Sequence, residues 1–134
     1  MSVVIPNVGE VELLDKMLKE SNEDYTLKLF KNNFYPDAST VVGDFEEADF
    51  TNYISVSITR SGWSIALESG KAKGEHSTVP TWTCGATGNT IYGYWLEGAT
   101  SGTLLWAERF DDEAPLSSGD TLDVTLQFVF YSGN

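Results

Sequence analysis

The feature that most constrains the fold is a strict alternation of apolar and polar residues in the C-terminal part of the chain. Five apolar residues recur at every second position there, with polar residues between them: Leu122, Val124, Leu126, Phe128 and Phe130. Successive side chains of a β-strand point to opposite faces of its sheet. The pattern therefore predicts a strand with one face in the core, and we expect it to be a central strand.

Shorter segments with the same two-residue period precede this one. We expect strands over residues 25–33, 53–68 (a hairpin turning at 60–62), 78–83, 90–96 and 103–110. The segments between them are rich in Gly, Pro and acidic residues and are expected to be loops, including residues 69–75 and 111–120. With strands spread over 24–131, the sequence predicts a mostly β protein. The fold class is an antiparallel β-sandwich, and a jelly roll is its favoured version.

The N-terminal part of the chain has a different period. Apolar residues recur at helical spacing and predict one short amphipathic helix over residues 8–20: Val8, Val11, Leu14 and Leu18, with Leu13 and Met17 widening the stripe. Asn7 and Glu10 have the spacing of a capping box at its start. Residues 1–7 are expected to form an extended arm ahead of the helix.

Length and charge limit the organisation and the partners. The 134 residues fit a single domain, residues 1–134, and 41% of them are hydrophobic, enough for a core. Twenty acidic residues face eight basic ones, for a net charge of −12, and the basic residues form no cluster. Binding to nucleic acid or to an anionic membrane requires clustered Lys and Arg. We therefore expect neither as a partner.

The sequence lacks the patterns of a secreted, membrane-spanning or disulfide-bonded protein. Its start has no basic segment followed by a long apolar one, so no signal peptide is expected. No apolar run approaches the roughly 20 residues that span a bilayer. Cys84 is the only cysteine, which excludes an internal disulfide. These features predict folding in a reducing cytoplasm.

A search for catalytic chemistry gives only weak candidates. His76 is the only histidine, and it is expected to be a solvated residue in a polar loop. The acidic clusters at residues 44–49 and 111–120 do not have EF-hand spacing, and solvated loops are their expected role. Motifs for phosphate binding, nucleophilic serine or zinc hydrolysis are missing. We predict a protein that is not an enzyme and has no catalytic residue, cofactor or metal.

One group of aromatic residues suggests binding. Strand alternation places Tyr92 and Tyr94 on one face of a strand and Ile91 and Trp95 on the other. One face is expected to line the core. The Tyr92 and Tyr94 face is either an exposed ladder of rings, suited to a sugar or a protein partner, or is itself covered. The sequence is compatible with both alternatives.

Several stretches in the first half of the chain resemble small virion proteins of tailed bacteriophages, which are encoded near the major capsid protein. The likeness rests on LKLFKNN (27–33), on DFEEADF (44–50) with Tyr53, and on IPNVGE (5–10) ahead of the helix. It covers about half of the chain, and these motifs are structural. The resemblance implies a head decoration (cement) protein with no catalytic residues.

This resemblance defines the expected function and partners. The expected role is to bind the outer surface of the capsid and stabilise the shell, after assembly in the host cytoplasm. The major capsid protein or another virion protein would be the partner, and a homo-oligomer, with a trimer favoured, is implied. The expected partner-binding residues are Val3, Val4, Ile5, Tyr92 and Tyr94. A tail or fibre component and a carbohydrate-binding β-sandwich module are the alternatives.

Overall fold

A computed structural model describes Met1 and residues 3–130 of the chain. Its helical segments are α1 (Asn7–Leu14), a π-helical turn (Asp15–Lys19) and two 3₁₀ turns (Val42–Asp44 and Arg60–Gly62). The strands are β1 (Tyr25–Phe30), β2 (Val56–Ile58), β3 (Trp63–Glu68), β4 (Lys71–His76), β5 (Thr81–Thr83), β6 (Thr90–Gly98), β7 (Leu104–Pro115), β8 (Thr121–Asp123) and β9 (Gln127–Val129). All strand pairs in the described part of the chain are antiparallel.

The chain divides into two compact units, each assembled from separate segments. The first unit consists of Met1–Asn22, Thr59–Val79 and Thr125–Asn134, and the second of Glu23–Ile58 and Pro80–Val124. The prediction of a mostly β, antiparallel sandwich-class fold with one short N-terminal helix is confirmed. The jelly-roll version and the single domain over residues 1–134 stay predictions. Residue 2 of the predicted arm and residues 131–134 lie outside the described residues.

The second unit is built on a four-stranded sheet in the order β2-β1-β6-β7, with a two-stranded sheet of β5 and β8. Strand β6 is buried along most of its length, because apolar side chains occupy both of its faces. The position of Gly93 in β6 leaves no room for a side chain. A Cβ there would lie 2.7 Å from the Phe30 ring and would collide with the Glu108 carbonyl oxygen.

Aromatic rings fill one part of the second unit's core. The Phe45 ring stacks on Trp95 with centroids 4.7 Å apart, and it also contacts Phe30 (5.0 Å) and Phe34 (5.5 Å). Phe30 and Trp95 are both buried. Such contacts add to the free energy gained from burying apolar surface. The LKLFKNN and DFEEADF stretches thus both contribute rings to one cluster.

The first unit packs a helix on a smaller sheet. Its strands are ordered β3-β4-β9, and α1 contacts both β3 and β4. Strands β3 and β4 are joined by Ser69 and Gly70, which have φ angles of 52° and 76°. Two positive φ angles define a type I′ turn, whose twist matches that of a hairpin. Residues 69–75 were predicted as a loop but form this turn and most of β4. The prediction failed because these residues include few apolar side chains and so show no strand pattern.

The helix begins earlier and presents a different face than predicted. Residues 8–20 were expected to be helical, and the helical segments span Asn7–Lys19. Asn7 does not cap the helix, because the Pro6 carbonyl accepts the first helical hydrogen bond, from the Glu10 amide at 2.9 Å. The buried face consists of residues four apart, Glu10, Leu14 and Leu18, whereas Val8 is exposed. The capping box is therefore wrong, whereas the predicted apolar stripe is right at Leu14 and Leu18 and wrong at Val8 and Leu13, which are exposed.

The segment with the strictest alternation is not one central strand. It forms β8, which pairs with β5, and β9, which pairs with β4 at the edge of its sheet. The side chains still point as predicted, since Val124 and Leu126 are buried and the polar residues of the segment, Asp123, Thr125 and Gln127, are exposed. Leu122, Phe128 and Phe130 are half-buried. A period of two determines which way side chains point but leaves the hydrogen-bonding partner open.

Two further strand predictions are corrected. Residues 53–68 do not form a hairpin, because β2 pairs with β1 whereas β3 pairs with β4. Strand β7 continues to Pro115, so the first part of the predicted acidic loop 111–120 is a strand. The described helices include none long and apolar enough to cross a bilayer.

Candidate binding site

The predicted N-terminal arm exposes its apolar side chains. Val3 and Val4 are 91% and 81% exposed, and Ile5 is 36% exposed. Residues 3–6 belong to no strand, so the arm does not extend any sheet in the described part of the chain. The arm is followed at once by the exposed Val8 on α1. These residues form an apolar surface, which we call the N-terminal apolar segment.

The predicted ladder of Tyr92 and Tyr94 is not formed. Tyr94 is 1% exposed, so its ring cannot stack on a ligand at the surface. Its hydroxyl accepts a hydrogen bond from Trp106 Nε1 (3.1 Å) and donates one to Glu108 Oε2 (3.2 Å). Burial raises the pKa of Tyr94 strongly. Of the two alternatives, the structure therefore has the one in which the Tyr94 ring is covered. The role of Tyr94 as a partner contact stays a prediction, and its burial disfavours that role.

Tyr92 instead lines a concave surface together with residues that were not singled out. The Arg109 guanidinium carbon lies 3.9 Å from the centroid of the Tyr35 ring and 5.1 Å from that of Tyr92. Arg109 Nη1 also donates a hydrogen bond to the Phe34 carbonyl oxygen at 3.0 Å. One arginine thereby fixes the 34–35 loop against two strands of the sheet. Cation–π contacts of this kind are individually modest but constrain geometry.

A break in strand register creates the rest of this concavity. Between the pairs Ile91–Ala114 and Gly93–Arg109, β6 advances two residues while β7 advances five. The extra residues of β7 form a bulge opposite Tyr92, and bulges redirect side chains and occur next to functional sites. The concavity has a volume of about 550 Å³ and is lined by Asn33, Tyr35, Tyr92, Arg109, Asp111, Asp112, Glu113 and Pro115. We call it the Tyr35 pocket.

The electrostatics of the Tyr35 pocket are acidic. Asp111, Asp112 and Glu113 are exposed carboxylates on its wall, opposed by the single positive charge of Arg109. Partial burial and then a hydrogen bond to Glu113 raise the pKa of the Tyr92 hydroxyl, while Arg109 opposes the shift. The pocket thus offers acceptor oxygens, one fixed cation and the exposed ring of Tyr35, which is 69% exposed.

His76 is a buried residue, and its prediction as a solvated loop histidine is wrong. It lies in β4, is 3% exposed and packs edge-on against Trp63 at 5.0 Å. Its Nδ1 accepts a hydrogen bond from the Thr78 amide (3.0 Å), so Nε2, 2.9 Å from the Thr59 carbonyl oxygen, is the protonated donor. Both ring nitrogens serve the backbone of the first unit, which is a structural role.

The acidic clusters do not assemble into a metal site. Among the described residues, no group of three or more His, Cys, Asp or Glu side chains is placed to hold an ion. In the 44–49 cluster, Asp49 and Glu46 pair with Lys31 at 2.9 and 3.5 Å. Hydrogen bonding from Lys31 lowers the pKa of Asp49. Asp44 accepts from the Val41 amide and closes a 3₁₀ turn.

Comparison with known proteins adds no family. No protein-family model matches the sequence, and neither a curated protein nor a solved structure gives a match. The features of the molecule that bear on its function are therefore two of its own surfaces, the N-terminal apolar segment and the Tyr35 pocket.

Proposed function

We propose that this protein is a non-enzymatic structural component of a bacteriophage virion, a decoration protein that binds the outer surface of the capsid and stabilises the shell. The observation that carries the proposal is the N-terminal apolar segment. Val3, Val4 and Val8 are 91%, 81% and 77% exposed, although each would gain free energy on burial. Contiguous exposed apolar surface on a protein is typical of an interface with a partner.

The mode of binding follows from the form of this segment. Residues 3–5 are outside any strand, and in this mode their backbone amides and carbonyls extend a sheet edge of a partner. Alternate side chains of such an added strand would fit apolar pockets, and the chain offers Val3 and Ile5 on one side and Val4 on the other. The partner in this proposal is the major capsid protein or another virion protein.

The charge of the chain favours the outer surface of a capsid over its interior. Packaged DNA fills the interior with negative charge, and a protein of net charge −12 would be repelled from it. The proposed assembly is a homo-oligomer, with a trimer at threefold positions preferred by analogy with the resembled proteins. Many copies then hold the shell by avidity, each through a small contact.

The proposal is tested with purified full-length protein and with phage heads that lack it. A chain without residues 1–6 and the double variant Val3→Ser/Val4→Ser are compared with a matched control, Val41→Ser, which changes a valine that is 59% exposed elsewhere. We expect the control to decorate heads fully and to restore their resistance to heat and osmotic shock. Both N-terminal variants should lose occupancy while they keep the unfolding midpoint of the original protein.

Two results would contradict the proposal. Full occupancy by the truncated chain would show that the N-terminal apolar segment is not the contact. Protein that never binds heads but sediments with tails would replace the decoration role by a tail or fibre role.

A further inference from the structure

We propose that α1 and the π-helical turn after it (residues 7–19) form a detachable strap, which we call the α1 strap. It leaves its sheet while the sheet itself stays folded, and it thereby lengthens the N-terminal apolar segment into an arm that reaches its partner. The inference rests on the proposed binding role of that segment and concerns how the segment becomes available. The observation behind it is the buried carboxyl group of Glu10 on the inward face of α1.

The side chains that hold the α1 strap to its sheet are of two kinds. Its fully buried residues are Glu10, Leu14 and Leu18, four positions apart, and α1 contacts β3 and β4. Leu18 packs on the backbone of Gly74, where a Cβ would lie 2.8 Å from a terminal methyl of the leucine. Burial of the two leucines favours docking of the strap. The third inward position carries a carboxyl group, which gives no such gain.

The buried carboxyl of Glu10 opposes docking. Its Oε2 accepts one long hydrogen bond, 3.4 Å from the Ala72 amide, and its Oε1 has no partner in the described part of the chain. A polar oxygen that loses its hydrogen bonds to water without replacing them costs free energy. This cost disappears when the strap leaves the sheet, because water then hydrates both oxygens. Glu10 therefore raises the population of the detached state.

The detached strap is expected to unfold into an extended arm. Among the described residues, no side chain caps the N-terminus of α1. The helix has 8 residues and the π-helical turn 5, and isolated helices of up to about 12–15 residues are marginal in water. A residue advances about 1.5 Å in a helix and about 3.3 Å in an extended chain. Detachment therefore about doubles the reach of this stretch.

The chain is anchored immediately after the strap. The Ser21 carbonyl oxygen accepts a hydrogen bond from Arg60 Nη1 at 2.9 Å. Two residues further on, Glu23 Oε1 accepts hydrogen bonds from the Thr100 and Ser101 amides at 2.9 and 3.0 Å. These bonds involve no residue of the strap, so they persist when it detaches. The unfolding of the strap therefore ends before β1, which keeps its place in the sheet of the second unit.

The experiment is native-state hydrogen exchange of the isotope-labelled full-length protein at several low denaturant concentrations. The amides of residues 11–18 are compared with the hydrogen-bonded amides of β4, which belongs to the same unit. We expect residues 11–18 to exchange about tenfold faster or more, with a weaker dependence on denaturant. The reason is that detachment of the strap exposes less surface than unfolding of the whole unit does.

Variants connect the exchange to the Glu10 carboxyl. Glu10→Met should slow exchange at residues 11–18 by about tenfold, because hydration of the carboxyl no longer favours the detached state. The matched control is Glu12→Met, the same change at an exposed position of α1. It should leave the exchange within about twofold of the original, since it removes only a surface ion pair. Leu14→Ala should speed the exchange, because it removes buried apolar surface from the docked strap.

Binding to phage heads links the detached state to function. When only the detached state binds, the apparent affinity is reduced to the extent that this state is rare. Glu10→Met should therefore weaken head binding by the same factor by which it slows the exchange, and Glu12→Met should bind as the original does. Failure of the original protein to bind heads would contradict the proposed function, and the exchange data on the free protein would still decide whether the strap detaches.

Three results would overturn the inference. Amides of residues 11–18 that exchange only together with those of β4 would show that the strap does not detach by itself. Unchanged exchange in Glu10→Met would show that the carboxyl does not favour detachment. A Glu10→Met protein that exchanges more slowly yet binds heads as tightly as the original would show that the contact does not need the detached state.

Discussion

The cores of the two units are built from different kinds of side chain. The second unit buries aromatic and aliphatic residues around β1 and β6, with Phe30, Phe45 and Trp95 in direct contact. Among its described residues, the first unit buries the polar side chains of Glu10 and His76 beside its leucines and Trp63. Apolar packing stabilises without directional requirements, whereas a buried polar group stabilises only when its hydrogen bonds are made. We therefore expect the stability of the second unit to follow the volume of its buried rings, and that of the first unit to follow whether each buried polar group has its hydrogen bonds.

The largest effect is expected from the second unit's aromatic cluster. Phe30→Ala should lower the free energy of unfolding by about 3–5 kcal/mol, because it removes a fully buried ring and leaves a cavity beside Phe45. Denaturant titration measures the loss, with Val41→Ala as an exposed control. A loss below about 1 kcal/mol would mean that the cluster is not the core that the contacts indicate.

A smaller but still large effect is expected at His76 in the first unit. His76→Ala leaves the Thr78 amide without its partner, removes one of the two hydrogen bonds to the Thr59 carbonyl oxygen, and opens space beside Trp63. The expected loss is about 2–3 kcal/mol, because two hydrogen bonds and the packing of the imidazole against Trp63 are removed together. The neighbouring Glu75→Ala, at an exposed position, serves as the control. An equal effect of the two variants would contradict a structural role for the imidazole.

Replacing Glu10 in the first unit is expected to increase the free energy of unfolding, the opposite of the effect at His76. It is fully buried; its Oε2 accepts one long hydrogen bond from the Ala72 amide (3.4 Å), and its Oε1 has no partner in the described part of the chain. Glu10→Met removes the unsatisfied oxygen and keeps much of the volume. Because the cost of burying an unsatisfied carboxyl oxygen exceeds that of losing the long bond from the Ala72 amide, the change should raise the free energy of unfolding by about 1–2 kcal/mol, measured as a higher denaturant midpoint. Destabilisation would show that the carboxylate has a partner that these contacts do not account for.

The smallest effect is a local response to pH in the second unit. Glu23 Oε1 accepts hydrogen bonds from the Ser101 and Thr100 amides at 3.0 and 2.9 Å, which lower the pKa of its carboxyl below 4.5. A lowered folded-state pKa means that the stabilisation is present above the ordinary value and is lost as pH falls through the folded-state pKa. The two amide resonances should therefore titrate together below pH 4.5. In Glu23→Gln they should not titrate.

The sequence predicts which side chains of a strand are buried far better than it predicts which strand is its hydrogen-bonding partner. Alternation correctly placed Val124 and Leu126 in the core, since burial follows directly from the two-residue period. It could not show that the same segment leaves one sheet for another, because hydrogen-bonding partners depend on distant parts of the chain. Strand β4 was missed for a related reason: its inward residues are Ala72, Gly74 and His76, which carry little hydrophobic signal.

The candidate pocket was predicted only in part. Tyr92 was identified from its aromatic neighbours, and the acidic residues 111–113 were noted as a solvated cluster. Tyr35 and Arg109 are 74 positions apart in sequence, and only the folded sheet brings them together. The bulge that aims β7 towards Tyr92 has no local sequence signature here, as it contains neither Gly nor Pro. The one feature of the sequence that could have indicated this pocket is an arginine between aromatic and acidic residues.

The interleaved segments of the two units set an order for folding during synthesis. The second unit is complete in sequence at Val124, while the first unit contains α1, which precedes every strand of the second unit, and β9, which is made after Val124. Chains are synthesised at about 5–20 residues per second, so early segments wait seconds for late ones. On the ribosome, α1 and the β3–β4 hairpin must therefore persist without the strand that completes their sheet. Chaperones that shield exposed apolar surface would meet this half of the molecule first.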